Sequence, residues 1–366
     1  MESVMRKAVI TLLLAVVSLM VLGFVMLTSL YVAHSGGPHR NLLPANLITW
    51  QILGAGFGMV LMGKVSRVDY RRWQLIATRF AGVVFMLLVL VLIPGMGPYI
   101  KGLRRWLYLG PWYFFQPSIL AGTALVLLLA WWYRDGKERP GYFFWIPFSV
   151  ILLWSGVVFW EPDVTTALLL LLTGWIMMIL GGEQVQYLLL YAFWFASGVA
   201  WLILKDPMRV ARIIAMSTNP PEHVSFPLYT LAIAAGGWSG VGLGKGYYVG
   251  CFLPEAGTEF ISAFIGEELG LCALLTMLVL YVVIAGCGLY IGAKAPDRFG
   301  TLLACGIVTW IFVPVLLTLL FLVTQINIHF PLLPFVSGGG LHLCMSLIGV
   351  GVLLNIAGSH KEEHHE

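Results

Sequence analysis

The sequence predicts an all-α polytopic membrane protein, one integral membrane domain over residues 1–366 with about ten transmembrane helices and a large extracytoplasmic loop between the seventh and eighth. Three observations predict it. Hydrophobic residues make up 60% of the chain and charged residues 10%, with a mean hydropathy of +0.91, whereas soluble domains are about a quarter charged. Apolar runs of roughly 20 residues, the length that crosses a bilayer as a helix, recur from end to end. Of the 21 Lys and Arg, all but Arg79 fall between those runs, and a net charge of +4 is too small and dispersed for nucleic-acid binding. A soluble fold and a nucleic-acid partner are both excluded.

A window of about 19 residues places spans at 8–33, 44–63, 75–97, 117–133, 142–160, 164–182, 186–204, 260–291, 300–324 and 338–358. The first run is too long for the core of a cleavable signal peptide and lacks a small-x-small exit. Asp163, after Pro162 and before Val164-Thr165-Thr166, is placed to cap the sixth helix, with Thr166 as a second polar partner. Ten spans return both termini to one side. Lys and Arg number 12 on that side and 8 on the other. Four of the 8 lie in the 205–259 loop, where charge counts weakly because long segments cross regardless of it. Both termini are therefore expected in the cytoplasm.

The outer face then holds nearly all the unusual sequence: loop 98–117, the Glu161-Pro162-Asp163 link, the 55-residue stretch 205–259 and the segment 325–337. Loops of such length are usually functional. Pro207 to Met216, with Arg209 and Arg212 three apart among apolar residues, reads as a short interfacial helix. The apolar run Leu228 to Ala235 is too short to span and reads as an element dipping into the membrane edge. The five cysteines show no CxxC or Cys/His spacing, and the histidines show no metal spacing, so neither a disulfide framework nor a zinc site is indicated.

Four groups carry candidate chemistry. Gly242-Leu243-Gly244-Lys245-Gly246 invites a phosphate-loop reading, but the Walker pattern needs Gly at 239 and Ser or Thr at 246, where Ser239 and Gly246 stand. A glycine turn that lets backbone approach a neighbour is the better account. Glu259, Glu267 and Glu268 are carboxylates at a membrane boundary, costly enough to be functional candidates. If a helix begins by 259, Glu259 and Glu267 share a face about 12 Å apart. The plainer alternatives are a solvated helix-start carboxylate for Glu259, and cation or loop-backbone partners for Glu267 and Glu268. Lys245, Arg209 and Arg212 in the same loop argue for an anionic ligand nearby. Arg104, Arg105 and Trp106 stand in a loop that topology should keep poor in cations. They serve either as headgroup anchors or as a planar grip on a phosphate or sugar-acid group, and Trp106 fits an aromatic belt equally well.

Taken together, these loops resemble the SEDS family of shape, elongation, division and sporulation proteins, represented by RodA and FtsW. The likeness runs from about residue 100 to the end. Lys101 to Gly110, then Phe115-Gln116-Pro117-Ser118, resembles KGAxRWLxLG…FQPSE, and Glu161 to Thr166 resembles QPDLGT. Met208 to Ile213 resembles YRxxRI, and Ala232 to Gly246 resembles AIGSGGLxGKG. Phe252 to Phe260, then Gly266 to Gly270, resembles FLPEAHTDF…EELG, and Leu333 to Ser337 with Gly339 resembles LPLVSYGG. Each motif alone is weak, while seven in order on the expected outer face are specific.

The resemblance implies a peptidoglycan glycosyltransferase of the bacterial cytoplasmic membrane, polymerising lipid II on its outer face during elongation or division. Its implied partners are a class B penicillin-binding protein and other proteins of the elongation or division complex. By the family's pattern Glu259 is the catalytic carboxylate. Arg105, Trp106, Asp163, Arg209, Arg212, Lys245, Glu267 and Ser337 are the substrate-binding residues, with Mg or Mn as an optional aid to the diphosphate. The chain departs from the pattern at several matched positions. The family's Asp is Glu259, its neighbouring His is Gly257, the Glu of QPSE is Ile119, the Gln of QPD is Glu161, the Tyr of SYGG is Gly338, and an expected Asn falls near Thr318. Two competing readings remain. A lipid II flippase or transporter needs ionisable residues along several helices, whereas Arg79 is nearly the only deep charge. A catalytically inactive scaffold for a penicillin-binding protein is kept open by the replacements. Gly286, Gly288, Gly292, Gly300 and Gly306 are expected to let a partner's single span approach the eighth and ninth helices.

Overall fold

The computed structural model describes residues 2–35, 46–98, 105–108, 114–136, 141–204, 228–248, 256–324 and 330–362. The helices are α1 (Glu2–Ser35), α2 (Asn46–Val65), α3 (Trp73–Leu92), α4 (Ser118–Tyr133), α5 (Trp145–Trp160), α6 (Val164–Gly181) and α7 (Val185–Leu204). They continue with α8 (Leu228–Gly236), α9 (Ile261–Glu268), α10 (Gly270–Ala293), α11 (Arg298–Thr324) and α12 (Gly340–Glu362). Two two-residue strands, β1 (Leu107–Tyr108) and β2 (Phe114–Phe115), form an antiparallel pair. Seven helices among the described residues are long and apolar enough to cross a membrane. Ser118–Tyr133 and Trp145–Trp160 are apolar but shorter, and α7 is 20 residues without a charge.

Helix ends follow local chemistry. Asp163 caps α6, its carboxylate accepting from Thr166 N, as the sequence led one to expect. At the other end Gly182 takes the left-handed conformation at φ 83°, while Gly182 N and Glu183 N bond back to Ile179 and Met178, the pair of bonds that closes a helix on glycine. Arg298 then donates from Nε to the Tyr133 carbonyl at 3.1 Å and from Nη2 to Gly181 at 2.9 Å, capping α4 and α6 together from the start of α11.

Lipid supplies no hydrophobic drive between helices, so close backbone approach at small residues has to do the packing. α2 lies on α12 in this way. A Cβ at Gly54 would fall inside the backbone of Gly340, one at Gly340 would strike the Trp50 carbonyl, and one at Gly351 would come 2.7 Å from the Met62 carbonyl.

The expected span 260–291 is two helices. α9 stops at Glu268, and Gly270 (φ 80°) turns the chain into α10. Hydropathy alone gives a single span here, with Glu267, Glu268 and Gly270 inside it. The break comes from α8 and the turn after it, which lay their backbone against 266–272. Leu271 N bonds to Gly237 O at 2.9 Å, Val241 N to Glu267 O at 3.0 Å and Gly242 N to Glu268 O at 3.0 Å. A Cβ at Gly240 (φ 79°) would overlap the Glu268 carbonyl. The run after Pro227 is therefore a nine-residue helix whose following turn completes the hydrogen bonding of a broken one, a form of backbone that a bilayer accepts only against protein.

The glycine stripe expected to receive a partner is used inside the fold. A Cβ at Gly288 would strike Val308, at Gly292 it would meet Ala304 at 3.1 Å, at Gly300 Asp297 at 2.9 Å, and at Gly306 Val126 and Met177; Gly286 alone of the five has nothing within 4 Å. Gly288→Leu is accordingly expected to lower the melting temperature of the isolated protein, through overpacking typically worth about 1–3 kcal/mol, whereas Gly286→Leu is not. Thermal unfolding of the two variants in detergent checks this.

Candidate functional site

The loops build three clusters from the expected residues. The first gathers around Asp163. Antiparallel register pairs Leu107 with Phe115 and Tyr108 with Phe114, so continuing the ladder sets Arg105 and Trp106 opposite the Gln116-Pro117 pair. Arg105 Nη2 donates to the Pro162 carbonyl. Gln116 Nε2 donates to Asp163 Oδ2 at 3.3 Å and to Ser118 Oγ at 2.9 Å. Asp163 also accepts from Thr166 N at 3.2 Å and Thr166 Oγ1 at 2.9 Å. It is a buried carboxylate that accepts from three donors. Trp106 is half-buried in the same hairpin. Arg104 lies outside the described residues.

Glu161, which sequence reading treated as linker, is the surprise of this cluster. It is fully buried, and neither carboxyl oxygen has a hydrogen-bond partner. Burial first and the Asp163 charge second push its carboxyl up to about 9, against a pull downward from Arg105.

The second cluster holds Glu259. The carboxylate is half-buried in the turn 256–260, one residue before the Phe260 cap of α9. It is therefore not on the helix, and the shared-face argument with Glu267 does not apply. The turn is latched from the other side of the bundle. Gly338 N donates to Gly257 O at 2.8 Å, Ser337 Oγ donates to Thr258 O at 2.8 Å, and Leu333 N donates to Ser337 Oγ at 2.9 Å. Gln51 in α2 closes the latch, accepting from Gly339 N at 2.8 Å and donating to Ser337 O at 3.3 Å. Gln51 was missed; its signal was a lone amide in an apolar run, where an unpaired polar group is costly. Phe260 packs with Tyr229 and Phe330 at ring separations of 6.3 and 5.3 Å. At Gly257 a Cβ would already meet Leu47, Leu27 and Leu30 at 3.0–3.1 Å, so glycine suits the wall formed by α1 and α2.

The third cluster is the glycine turn. Glu267 and Glu268 are buried. Glu267 Oε1 accepts from Tyr247 N at 2.6 Å and Tyr248 N at 2.7 Å. Glu268 Oε1 accepts from Gly244 N at 2.9 Å and Gly246 N at 3.3 Å, while its other oxygen accepts from Ser29 Oγ at 2.5 Å. Both acids bond to loop backbone, and Lys245 stands exposed on the turn they hold. Arg209 and Arg212 lie outside the described residues. Among the described residues no group of three or more His, Cys, Asp or Glu is arranged to hold a metal ion.

A bundle of apolar helices of membrane-spanning length, with polar loops latched together, defines an integral membrane protein. The chain belongs to the FtsW/RodA/SpoVE family of cell cycle proteins, whose family model matches residues 10–362. It is 32% identical over 314 residues to the probable peptidoglycan glycosyltransferase FtsW of Geobacter sp. (strain M18), covering 84% of this chain and 85% of that one. It is also 32% identical over 321 residues to stage V sporulation protein E of Bacillus subtilis (strain 168), covering 84% and 86%. Among solved structures, a chain of a peptidoglycan synthase complex superposes with a TM-score of 0.74 at 24% identity over 95% of this chain and 97% of that one. Thermus thermophilus rod shape determining protein RodA does so with a TM-score of 0.68 at 23% identity over 95% and 96%.

Proposed function

We propose that the chain is a peptidoglycan glycosyltransferase that polymerises lipid II on the outer face of the bacterial cytoplasmic membrane, in elongation or division. Ten spans with both termini cytoplasmic and a long outer loop 205–259 accompany this reading. A class B penicillin-binding protein is its partner, a reading supported by the likeness to a chain of a peptidoglycan synthase complex. The observation that carries the reading is the latched turn 256–260. It holds the matched carboxylate Glu259 half-buried at the boundary where a lipid-linked sugar and an acceptor strand meet.

The acceptor's 4-hydroxyl gives its proton to Glu259, its oxygen attacks the anomeric carbon of the donor sugar, and the bond to the lipid diphosphate breaks with its electrons on the leaving oxygen. Lys245, Arg105, Arg209 and Arg212 stabilise the charge that develops on the diphosphate. Asp163 orders the Arg105 cluster, and Trp106 flanks it. Glu267 and Ser337 act by holding the Lys245 and Glu259 turns, since the hydrogen bonds described for both go to backbone. Changing Arg105 to Lys keeps the charge but loses the planar fork. Polymerisation is expected to fall several-fold in Arg105→Lys, with membrane insertion and yield unchanged. Parent-like polymerisation in that variant would make Arg105 a headgroup anchor only.

A further inference from the structure

Glu161 and Asp163 flank Pro162 at the outer end of α6 in very different surroundings. Asp163 receives donors from Thr166 N, Thr166 Oγ1 and Gln116 Nε2. Glu161 is fully buried, and neither of its oxygens has a hydrogen-bond partner, so nothing offsets the cost of charging it. Arg105 is the cation acting on this pair. Its Nη2 donates to the carbonyl between the two acids, and its Nε is buried without a partner. Arg105 and Asp163 are the charged groups that face Glu161 among the described residues. With Glu161 protonated the trio sums to zero charge, and with Glu161 ionised it sums to one negative charge.

A guanidinium can bind a phosphate only to the extent that nearby carboxylates have not already neutralised it. We propose that Glu161 is a positioning residue for the diphosphate-linked substrate. As an uncharged acid it leaves Arg105 facing a single carboxylate, and on ionising it engages the free Nε edge of Arg105 and makes the cluster repel the diphosphate. This inference rests on the glycosyltransferase reading for the identity of the anion. It gives the Glu at 161, where the family pattern has Gln, a consequence: binding gains an alkaline limit that an amide of the same shape would not confer. The direction follows from the carboxyl's position near 9, because the proton is held at neutral pH and lost as pH rises through that value.

The test is binding of fluorescent lipid II to the purified full-length protein in detergent between pH 7.5 and 10, for the parent and Glu161→Gln, with polymerisation followed in the same samples. The parent's Kd is expected to rise roughly three- to tenfold across the range, the effect of one partly screened charge at close range. The Kd of Glu161→Gln should stay level, and the parent's infrared carboxylic-acid band should be missing from that variant. A level parent profile, no binding at any pH, or an equal rise in both proteins overturns the proposal. Should Glu161→Gln fail to accumulate, Asp163→Asn supplies the second reading. Removing the like charge lets Glu161 ionise sooner, so the loss of binding must move to lower pH, and an unmoved or higher midpoint overturns the proposal. pH-dependent binding without polymer leaves this inference standing and removes the glycosyltransferase reading. Polymer formation with level binding does the reverse.

Discussion

Glu259→Gln is expected to lower lipid II polymerisation roughly 10²–10⁴-fold, the range over which a positioned general base contributes. The amide keeps the shape of the side chain and cannot take the acceptor's proton. The latch from Ser337 and Gly338 runs to the carbonyls of Thr258 and Gly257, which the substitution leaves in place. Glu259→Asp restores the residue type of the family pattern and should retain more activity than Gln, although Gly257 leaves it without the family's histidine. Glycan yield from purified lipid II, normalised to folded protein, reads the difference. If Glu259→Gln polymerises at the parent rate while Asp163→Asn does not, the base lies in the first cluster and the assignment to the turn is wrong.

Gly54→Leu should be the most damaging single change to the fold. A side chain there would have to occupy the backbone of Gly340, and neither helix can give way without separating α2 from α12. That separation would also pull Gln51 away from Ser337 and Gly339 and so undo the latch under the Glu259 turn. A loss of about 3 kcal/mol or more is expected, at or above the upper end of ordinary overpacking because the clash is with backbone. Gly56→Leu is the control on the same helix, since nothing lies within 4 Å of a Cβ at Gly56. Thermal melting should separate the two variants, and equal melting temperatures would refute the packing described here.

The features legible in the sequence are those set by local chemistry. Asp163 was recognisable as a cap because a Pro-Asp-x-x-Thr pattern offers a carboxylate to a helix start, and the glycines of 242–246 as a place of close approach because no Walker signature supports a nucleotide. Hidden features are those set by what packs across space. The run 260–291 reads as one span by hydropathy; Glu267, Glu268 and Gly270 stand at its break, but that the helix stops there depends on backbone from the turn after α8, which replaces the lost helical bonds. A stripe of small residues shows that something comes close but not whether it is a partner or the same chain, and Gly288, Gly292, Gly300 and Gly306 turned out to face their own bundle. Glu161 read as part of a polar link because nothing local marks its burial, and Arg105, which donates to the neighbouring Pro162 carbonyl, stands more than fifty residues earlier in the chain. The loop motifs named the candidate residues, and the structure adds that Glu267, Glu268 and Ser337 bond to loop backbone.

The most direct test of the central claim is polymerisation of purified lipid II by the purified chain, alone and with its cognate class B penicillin-binding protein, with products separated by length. The account predicts glycan strands in the presence of the partner, lost in Glu259→Gln and weakened in Arg105→Lys. A well-folded parent that binds the partner yet leaves lipid II as monomer would contradict it, and would make the chain a scaffold whose altered turn at Gly257 and Glu259 no longer performs the transfer.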